Sequence, residues 1–230
     1  MKLYIDRNNE KSILRYINNE HELAIDERKV HMEENMIITI SRQYGSGGSQ
    51  VAKILAERMG VWCYDRDILT IAAERIGNEE LTEDTINDLN YKRNDVASAG
   101  ITGVMGMGNI PIYNQMFLEQ AKIIRKLANY GSAVFLGRCA DYILKDIKNC
   151  TSVYLYADRE FRKNRVKEIY GSNAEIMDKE EKNRADYYNY YTGNRWGDIN
   201  NYDFAINTSK VSFEEAADLI YRFAKDKQKN

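Results

Sequence analysis

The chain has 230 residues, of which 43% are hydrophobic and 30% charged, an ordinary composition for a globular protein with one sizeable core. Its formal net charge of −2 provides no overall positive field, so neither nucleic acid nor an anionic membrane is expected as the main partner. No apolar stretch approaches the roughly 20 residues needed to cross a bilayer, and the N-terminal residues lack the apolar segment of a secretory signal.

The use of cysteine and histidine predicts a cytoplasmic protein without a zinc site. The three cysteines are an odd number without paired spacing, which favours a reducing compartment over a disulfide framework. His21 and His31 both precede the first predicted strand and lie far from the cysteines in sequence, which argues against bound zinc. Because no histidine is near Cys139, this cysteine is expected to be a small buried residue rather than a nucleophile.

The first part of the chain changes from a polar segment to alternating strands and helices. Residues 1–35 are charged, with a thin apolar stripe, and are predicted to form an N-terminal helical extension, a candidate element for homodimerisation. The strand MIITI then leads through a glycine-rich turn into a helix with apolar residues at helical spacing, which ends at Gly60. A short strand, VWCYD, and a second helix ending at Gly77 follow.

The rest of the chain continues this alternation around two unusual segments. Residues 78–111 contain four glycines between positions 100 and 108 and are predicted to be a long mobile insertion. A helix, the strand AVFLG, the strand SVYLYA and a basic helix precede a polar, tyrosine-rich segment at about 172–201. The strand YDFAIN and a last helix complete the chain, and capping boxes are predicted at Ser172 and Ser212. The pattern predicts an α/β fold whose parallel sheet carries helices on both faces.

The glycine turn, RQYGSGGS over residues 42–49, matches the P-loop pattern in part. In a parallel sheet this turn lies at a carboxyl strand end, where its N–H groups and the dipole of the following helix favour an anion. Laid over the pattern G-x-x-x-x-G-K-[ST], Gly47 and Ser49 match. Arg42 replaces the first glycine of the pattern, and Gly48 replaces its lysine.

Two other interpretations of the turn stay open. The dinucleotide pattern G-x-G-x-x-G matches at Gly45 and Gly47 but not at Gln50, although Asp65 follows about 20 residues on, as a ribose-binding acid would. The remaining interpretation is a turn without a ligand. Ser49 likewise has two interpretations, as a ligand of Mg²⁺ or as the N-cap of the helix.

Arginines recur where a phosphate site would need charge. Backbone N–H groups carry only partial charges, whereas phosphoryl transfer depends on electrostatic stabilisation, for which the planar arginine fork is well suited. The candidates lie beside the turn, at a strand end, on the basic helix and in the polar segment: Arg42, Arg138, Arg159, Arg162, Arg165, Arg184 and Arg195. Asp158 either supplies an acid for a metal or caps the basic helix. Five aromatic residues of the polar segment either pack it against the core or stack on a base: Tyr187, Tyr188, Tyr190, Tyr191 and Trp196.

Four stretches together resemble the cytidylate kinase-like family, a branch of the P-loop nucleoside monophosphate kinases. In chain order they are ITISRQYGSGGSQVAKILAERMG, YDRDIL, VFLGRCADYIL and RADYYNYYTGNRWGDINNYDFAINTS. The resemblance implies a P-loop NTPase domain over residues 36–230 with a three-layer α/β/α fold around the parallel sheet. It also implies an acceptor-binding arm at about 66–115 and a mobile lid at about 172–201.

The resemblance further implies ATP and Mg²⁺ as cofactors and a nucleoside monophosphate or another small phosphorylatable molecule as substrate. The implied donor site comprises the turn and three arginines: Arg42, Gly45, Ser46, Gly47, Gly48, Ser49, Gln50, Arg162 and Arg165. Ser49 is the implied metal ligand. The implied acceptor-binding residues are Asp65, Arg66 and Arg138. The implied catalytic residues are Arg138, Arg184 and Arg195.

Two departures from the family pattern concern catalysis. Gly48 occupies the position of the lysine that holds phosphates, and Cys139 replaces the aspartate of a Gly-Arg-Asp motif, with Asp141 two residues on. The prediction is an ATP-dependent kinase of a cytidylate-like nucleoside monophosphate. The alternatives are a degenerate P-loop protein that binds a nucleotide without turnover and a kinase of another small acceptor. A lysine restored at position 48 is expected to raise the activity of an impaired enzyme.

Overall fold

The structure, a computed structural model, describes residues 35–77, 111–171 and 173–229. Two predicted segments lie outside the described residues: nearly all of the N-terminal extension, and residues 78–110 of the insertion. Five strands are present in the described ranges: β1 (Ile37–Arg42), β2 (Trp62–Tyr64), β3 (Ala133–Leu136), β4 (Cys150–Tyr156) and β5 (Phe204–Asn207).

Helices alternate with these strands along the chain. Those in the described ranges are α1 (Gly48–Met59), α2 (Asp67–Ile76), α3 (Ile112–Tyr130), α4 (Ala140–Ile143), α5 (Arg159–Tyr170), α6 (Ala174–Thr192) and α7 (Phe213–Lys227). The predicted lid segment therefore consists mainly of α6, followed by a 3₁₀ turn at Ile199–Asn201. None of the helices seen in these ranges has the length and apolarity needed to cross a membrane.

All strand pairs in the sheet are parallel, and the strand order is β2-β3-β1-β4-β5. β1 is central, with Ile37 aligned to Ala133 of β3 on one side and to Cys150 of β4 on the other. Because parallel strands end at the same edge, the glycine turn after β1 lies near the residues that follow β2 and β3. In the dinucleotide-binding fold β2 is next to β1, whereas here β3 separates them, so this strand order excludes the dinucleotide interpretation.

Side chains of the strands alternate between two hydrophobic cores on the two faces of the sheet. Ile37 and Phe135 belong to the first core, which also contains residues of α2, α3, α4 and α6. Ile38, Ile40 and Val134 belong to the second core, which is covered by α1 and α7. This alternation with a period of two residues confirms the predicted three-layer α/β/α fold with a parallel sheet.

Local sequence signals set several helix ends. Gly60 and Gly77 follow α1 and α2 with φ angles of 66° and 63°, and this left-handed backbone ends each helix as predicted. Ser212 caps α7, because its side chain accepts a hydrogen bond from the Glu215 N–H over 3.1 Å. Ser172, where the other capping box is predicted, lies outside the described residues. The N-cap of α6 is Asn173, whose side chain accepts a hydrogen bond from the Ile176 N–H over 3.0 Å.

Candidate active site

The glycine loop between β1 and α1 is packed so tightly that its glycines have no room for side chains. Gly45 and Gly47 both have a φ of 82°, in the left-handed region. A Cβ atom on Gly47 would lie 2.4 Å from the ring of Phe213, and one on Gly45 would lie 2.9 Å from Val166. Gly47 is the N-cap of α1, so the first N–H groups of this helix, which have no intrahelical acceptor, begin inside the loop. Such a helix start is suited to binding an anion.

The two serines of the loop have different surroundings. Ser46 is buried: its hydroxyl donates to the Gln43 carbonyl oxygen over 2.9 Å, and its own carbonyl oxygen accepts from the Thr208 hydroxyl over 2.7 Å. Ser49 is exposed in the first turn of α1. Because Gly47 is the N-cap of this helix, the capping interpretation of Ser49 is wrong. Ser46 therefore shapes the loop from within, whereas Ser49 lies where a ligand can reach it.

Three of the predicted arginines meet at a groove over the loop. The groove has a volume of about 40 Å³ and is lined by Arg42, Arg165 and Arg184 together with loop residues. Arg165 donates from Nη2 to Gln50 Oε1 over 2.8 Å. Arg184 donates from Nη1 to the Arg42 carbonyl oxygen over 2.9 Å. The loop is thus flanked by guanidinium groups from β1, α5 and α6.

Three other predicted arginines are placed differently. Arg162 is buried beneath the loop, where its Nε donates to the Ala157 carbonyl oxygen over 3.2 Å and its Nη1 to the Tyr44 carbonyl oxygen over 3.4 Å. Arg138 follows β3, as predicted, but only 1% of its surface is exposed. Arg195 is exposed beyond the end of α6. The residues that line the groove include none of these three.

A larger cavity, of about 350 Å³, opens at the ends of β2 and β3. Asp65 and Arg66, the residues predicted to bind the acceptor, both line it, together with Trp62 and Lys53. Ser49 lines this cavity and also the groove over the loop. A ligand in the groove and a ligand in the cavity would therefore meet at Ser49.

Arg42 extends from the groove to the wall of this cavity. It is the last residue of β1 and has only 5% of its surface exposed. Its Nη2 lies 3.6 Å from Oδ1 of Asp65. The guanidinium of Arg42 therefore lies between the groove and the cavity.

Helix α6 closes over the loop through one of its faces. Glu181 accepts two hydrogen bonds, from the Tyr44 N–H over 2.6 Å and from the Trp196 indole N–H over 2.8 Å. The guanidinium of Arg184, three residues further on, lies 5.1 Å from the centre of the Tyr44 ring. Sequence reasoning missed Glu181. The available signal was its i,i+3 spacing from Arg184, which places the two side chains on the same side of a helix.

Asp141 joins the sheet to α6 beneath the site. Its carboxylate accepts hydrogen bonds from the Ser41 hydroxyl over 3.3 Å and from the Tyr188 hydroxyl over 2.6 Å. Burial raises the pKa of this carboxyl above its ordinary value, and the two hydrogen bonds oppose the rise. Tyr187 and Tyr188 are buried in the first core, which supports packing rather than base stacking for them, whereas Tyr190 is exposed.

Two further candidate groups have surroundings that limit their roles. Cys139 is buried, as predicted, and burial raises the pKa of its thiol, which disfavours the reactive thiolate. The side chain of Asp158 does not cap α5; it accepts hydrogen bonds from Lys210 and Asn207, and the bond from Lys210 lowers its pKa. In the parts of the chain that the structure describes, no group of three or more His, Cys, Asp and Glu side chains forms a metal cage.

The comparison with protein families accounts for this combination of a glycine loop and a parallel sheet. Residues 37–210, from β1 to just beyond β5, match the model of the cytidylate kinase-like family. The chain belongs to this family. No curated protein matches the chain in sequence.

Solved structures agree with this assignment. An uncharacterized protein from Eubacterium ventriosum ATCC 27560 is 30% identical, with a TM-score of 0.61 over 83% of this chain and 98% of that chain. Shikimate kinase from Acinetobacter baumannii in complex with shikimate is 16% identical, with a TM-score of 0.50 over 86% and 97%. A gluconokinase from Sinorhizobium meliloti 1021 is 14% identical, with a TM-score of 0.50 over 84% and 95%. The fold is therefore that of P-loop kinases.

Proposed function

We propose that this chain is a kinase that transfers the terminal phosphoryl group of ATP to a small acceptor, preferentially a cytidylate-like nucleoside monophosphate. The observation that carries the proposal is the position of Ser49, which lines both the arginine-flanked groove and the larger cavity. Phosphoryl transfer needs a donor and an acceptor held in line, with the charge of the transferring group stabilised. Two adjoining compartments beside a set of arginines supply that arrangement.

The groove over the loop is the donor site in this proposal. Its glycines allow backbone N–H groups to approach phosphate oxygens closely, and Arg42, Arg165 and Arg184 add full positive charge. When bound, ATP supplies the phosphoryl group and Mg²⁺ neutralises part of its phosphate charge. The exposed Ser49 fits the role of a metal ligand. Mg²⁺ is commonly held by few protein ligands together with phosphates and water, so one protein hydroxyl suits such a site.

The larger cavity is the acceptor site. Arg66 is exposed beside it and suits the phosphate of the acceptor, and Trp62 offers an aromatic face to a planar base. Arg138 is too deeply buried to contact a ligand, so we assign it a positioning role at the end of β3. Arg195, on the segment that follows α6, is assigned to the transferring group through movement of the lid.

The test measures ADP formation from MgATP with CMP, dCMP, UMP, AMP, shikimate and gluconate as separate acceptors. We expect ADP formation above the acceptor-free rate, and the highest rate with CMP or dCMP. Arg184→Met should lower this rate, whereas Arg222→Met, which changes an exposed arginine on α7, is the matched control and should not. A preference for another acceptor would refute the cytidylate-like assignment, and equal ADP formation with and without every acceptor would refute the kinase.

A second candidate function is nucleotide binding without turnover. It is favoured by Gly48, which stands where the P-loop pattern has the lysine that acts on the transferring phosphates. In that case thermal-shift measurements would detect binding of MgATP or ADP, although no ADP would form from MgATP with any acceptor. A ligand at 100 times its Kd stabilises the native state by about 2.7 kcal/mol, which such a measurement resolves.

A further inference from the structure

The loop over residues 42–49 departs from the P-loop pattern at two positions. The side chain is larger than in the pattern at one of them and smaller at the other. Where the pattern has its first glycine, this chain has Arg42, and where the pattern has its lysine, the chain has Gly48. One position has gained a long cationic side chain and the other has lost one. The number of long cations in the loop is therefore the same as in the pattern.

The structure shows that these two positions share one space. A Cβ atom on Gly48 would lie 2.6 Å from both Cβ and Cγ of Arg42, closer than side-chain atoms approach in proteins. The stem of Arg42 thus fills the volume in which any side chain at position 48 would begin. Only one of the two positions can carry a long side chain, so the two departures compensate for each other.

The charge of Arg42 lies where the transferring group would be. Arg42 lines the groove over the loop, and its Nη2 lies 3.6 Å from Oδ1 of Asp65, a residue of the adjoining cavity. Arg165 and Arg184 reach the groove from α5 and α6, whereas Arg42 belongs to β1 and the loop itself. A guanidinium also binds two phosphate oxygens at once, which an ammonium group cannot do in the same planar geometry.

We propose that Arg42 performs the phosphate-binding role of the P-loop lysine from the opposite end of the loop, with Asp65 positioning its guanidinium until phosphates bind. This inference rests on the proposed kinase function. It also reverses the expectation from the sequence that a lysine at position 48 raises activity. Lysine introduced at position 48 alone does not restore a P-loop, because its stem meets that of Arg42.

The experiment compares Arg42→Met, Arg42→Gly, Gly48→Lys and the exchange variant R42G/G48K with the wild-type chain. Turnover is measured in the acceptor assay, and affinity for MgATP is measured by calorimetry. Arg42→Met keeps a long side chain without the charge, and Arg222→Met controls for the loss of a distant surface arginine. We expect at least a 100-fold loss of turnover in Arg42→Met and Arg42→Gly, a size typical for removal of one charge-stabilising donor.

The exchange variant decides the proposal. Gly48→Lys alone is expected to lower turnover and MgATP affinity, and R42G/G48K is expected to exceed both single variants by at least tenfold. Wild-type turnover in Arg42→Met, or an exchange variant no better than the worse single variant, would overturn the role of Arg42 while leaving the kinase function intact. A wild-type chain that neither binds MgATP nor releases ADP would instead refute the proposed function together with this inference.

Discussion

Gly47 is the residue at which two separate requirements for glycine coincide. Its φ of 82° is left-handed, and the ring of Phe213 lies 2.4 Å from the position of a Cβ atom. Gly60, at the end of α1, has a φ of 66° but no atom within 4 Å of its Cβ position. The same substitution made at Gly47 and at Gly60 therefore distinguishes the cost of backbone strain from the cost of steric contact.

We expect Gly47→Ala to lower the free energy of unfolding by more than Gly60→Ala. Left-handed backbone costs alanine about 1–2 kcal/mol at either position. At position 47 the contact with Phe213 adds an overpacking cost of about 1–3 kcal/mol. Urea unfolding of the two variants measures the difference, and equal losses would contradict the close approach of Phe213 to the loop.

Asp141 is a second residue whose surroundings make a measurable prediction. Burial raises the pKa of its carboxyl, so the folded state holds the proton more tightly than the unfolded state does. The contribution of this group to stability is therefore fully present below the unfolded pKa and is lost as the pH rises through the folded pKa.

Asp141→Asn should remove this pH dependence, because an amide does not ionise. We expect the wild-type chain to lose stability relative to the variant as the pH rises above about 4, the ordinary aspartate pKa. Urea unfolding at several pH values provides the measurement. Asp146→Asn, at an exposed site five residues on, is the matched control, and identical pH curves for both variants would exclude the argument.

At the scale of elements, α6 holds the glycine loop with opposite charges three residues apart. Glu181 accepts from the Tyr44 N–H, and Arg184 donates to the Arg42 carbonyl oxygen. The arginine adds positive charge to the groove over the loop, whereas the carboxylate takes up a loop N–H and would repel a phosphate bound there. Nucleotide binding therefore works against one of the two contacts that close this helix over the loop.

Glu181→Gln should tighten the binding of ADP and MgATP. Replacing the charge with a neutral amide removes like-charge repulsion worth roughly 1 kcal/mol, or about fivefold in affinity. Calorimetry measures the change. The matched control is Glu175→Gln, which neutralises an exposed glutamate in the first turn of the same helix. Weaker binding in the Glu181 variant would mean that the contact serves to shape the loop instead.

At the scale of the whole molecule, the two tryptophans lie in different surroundings. Trp62 lines the larger cavity, and Trp196 donates its indole N–H to Glu181 on α6. These are the two tryptophans of the chain. Fluorescence therefore distinguishes ligands that bind in the cavity from ligands that change the contacts of Glu181 on α6.

Two variants with one tryptophan each test whether the two tryptophans report on different ligands. In Trp62→Phe the remaining Trp196 should respond mainly to ADP, because donor binding displaces Glu181. In Trp196→Phe the remaining Trp62 should respond mainly to CMP, because the acceptor occupies the cavity. Titrations of each variant with each nucleotide provide the measurement. If both nucleotides changed the emission of the same tryptophan alone, the assignment of two separate sites would be wrong.

Much of the fold was predictable because local patterns encode it. The apolar runs of β1 and β3, the helical spacing in α1 and the glycines at positions 60 and 77 depend only on neighbouring residues. The N-cap of α6 is Asn173, and the sequence alone did not single it out because serine and asparagine are both good capping residues. The site was predictable in part: Asp65 and Arg66 line the cavity, but the motif did not reveal the burial of Arg138.

The sequence by itself determined the α/β fold class, the family and the position of a glycine-rich loop after the first strand, because periodicity and short motifs are local properties. Tertiary structure alone decided that Arg42 fills the space beside Gly48 and that Glu181 reaches the Tyr44 N–H from 137 residues away. It also decided that β3 separates β1 from β2, which excluded the interpretation of the turn as a dinucleotide-binding pattern. These features are contacts between residues that are distant in sequence. They form only when the sheet and its two helical layers pack, and no local pattern specifies them.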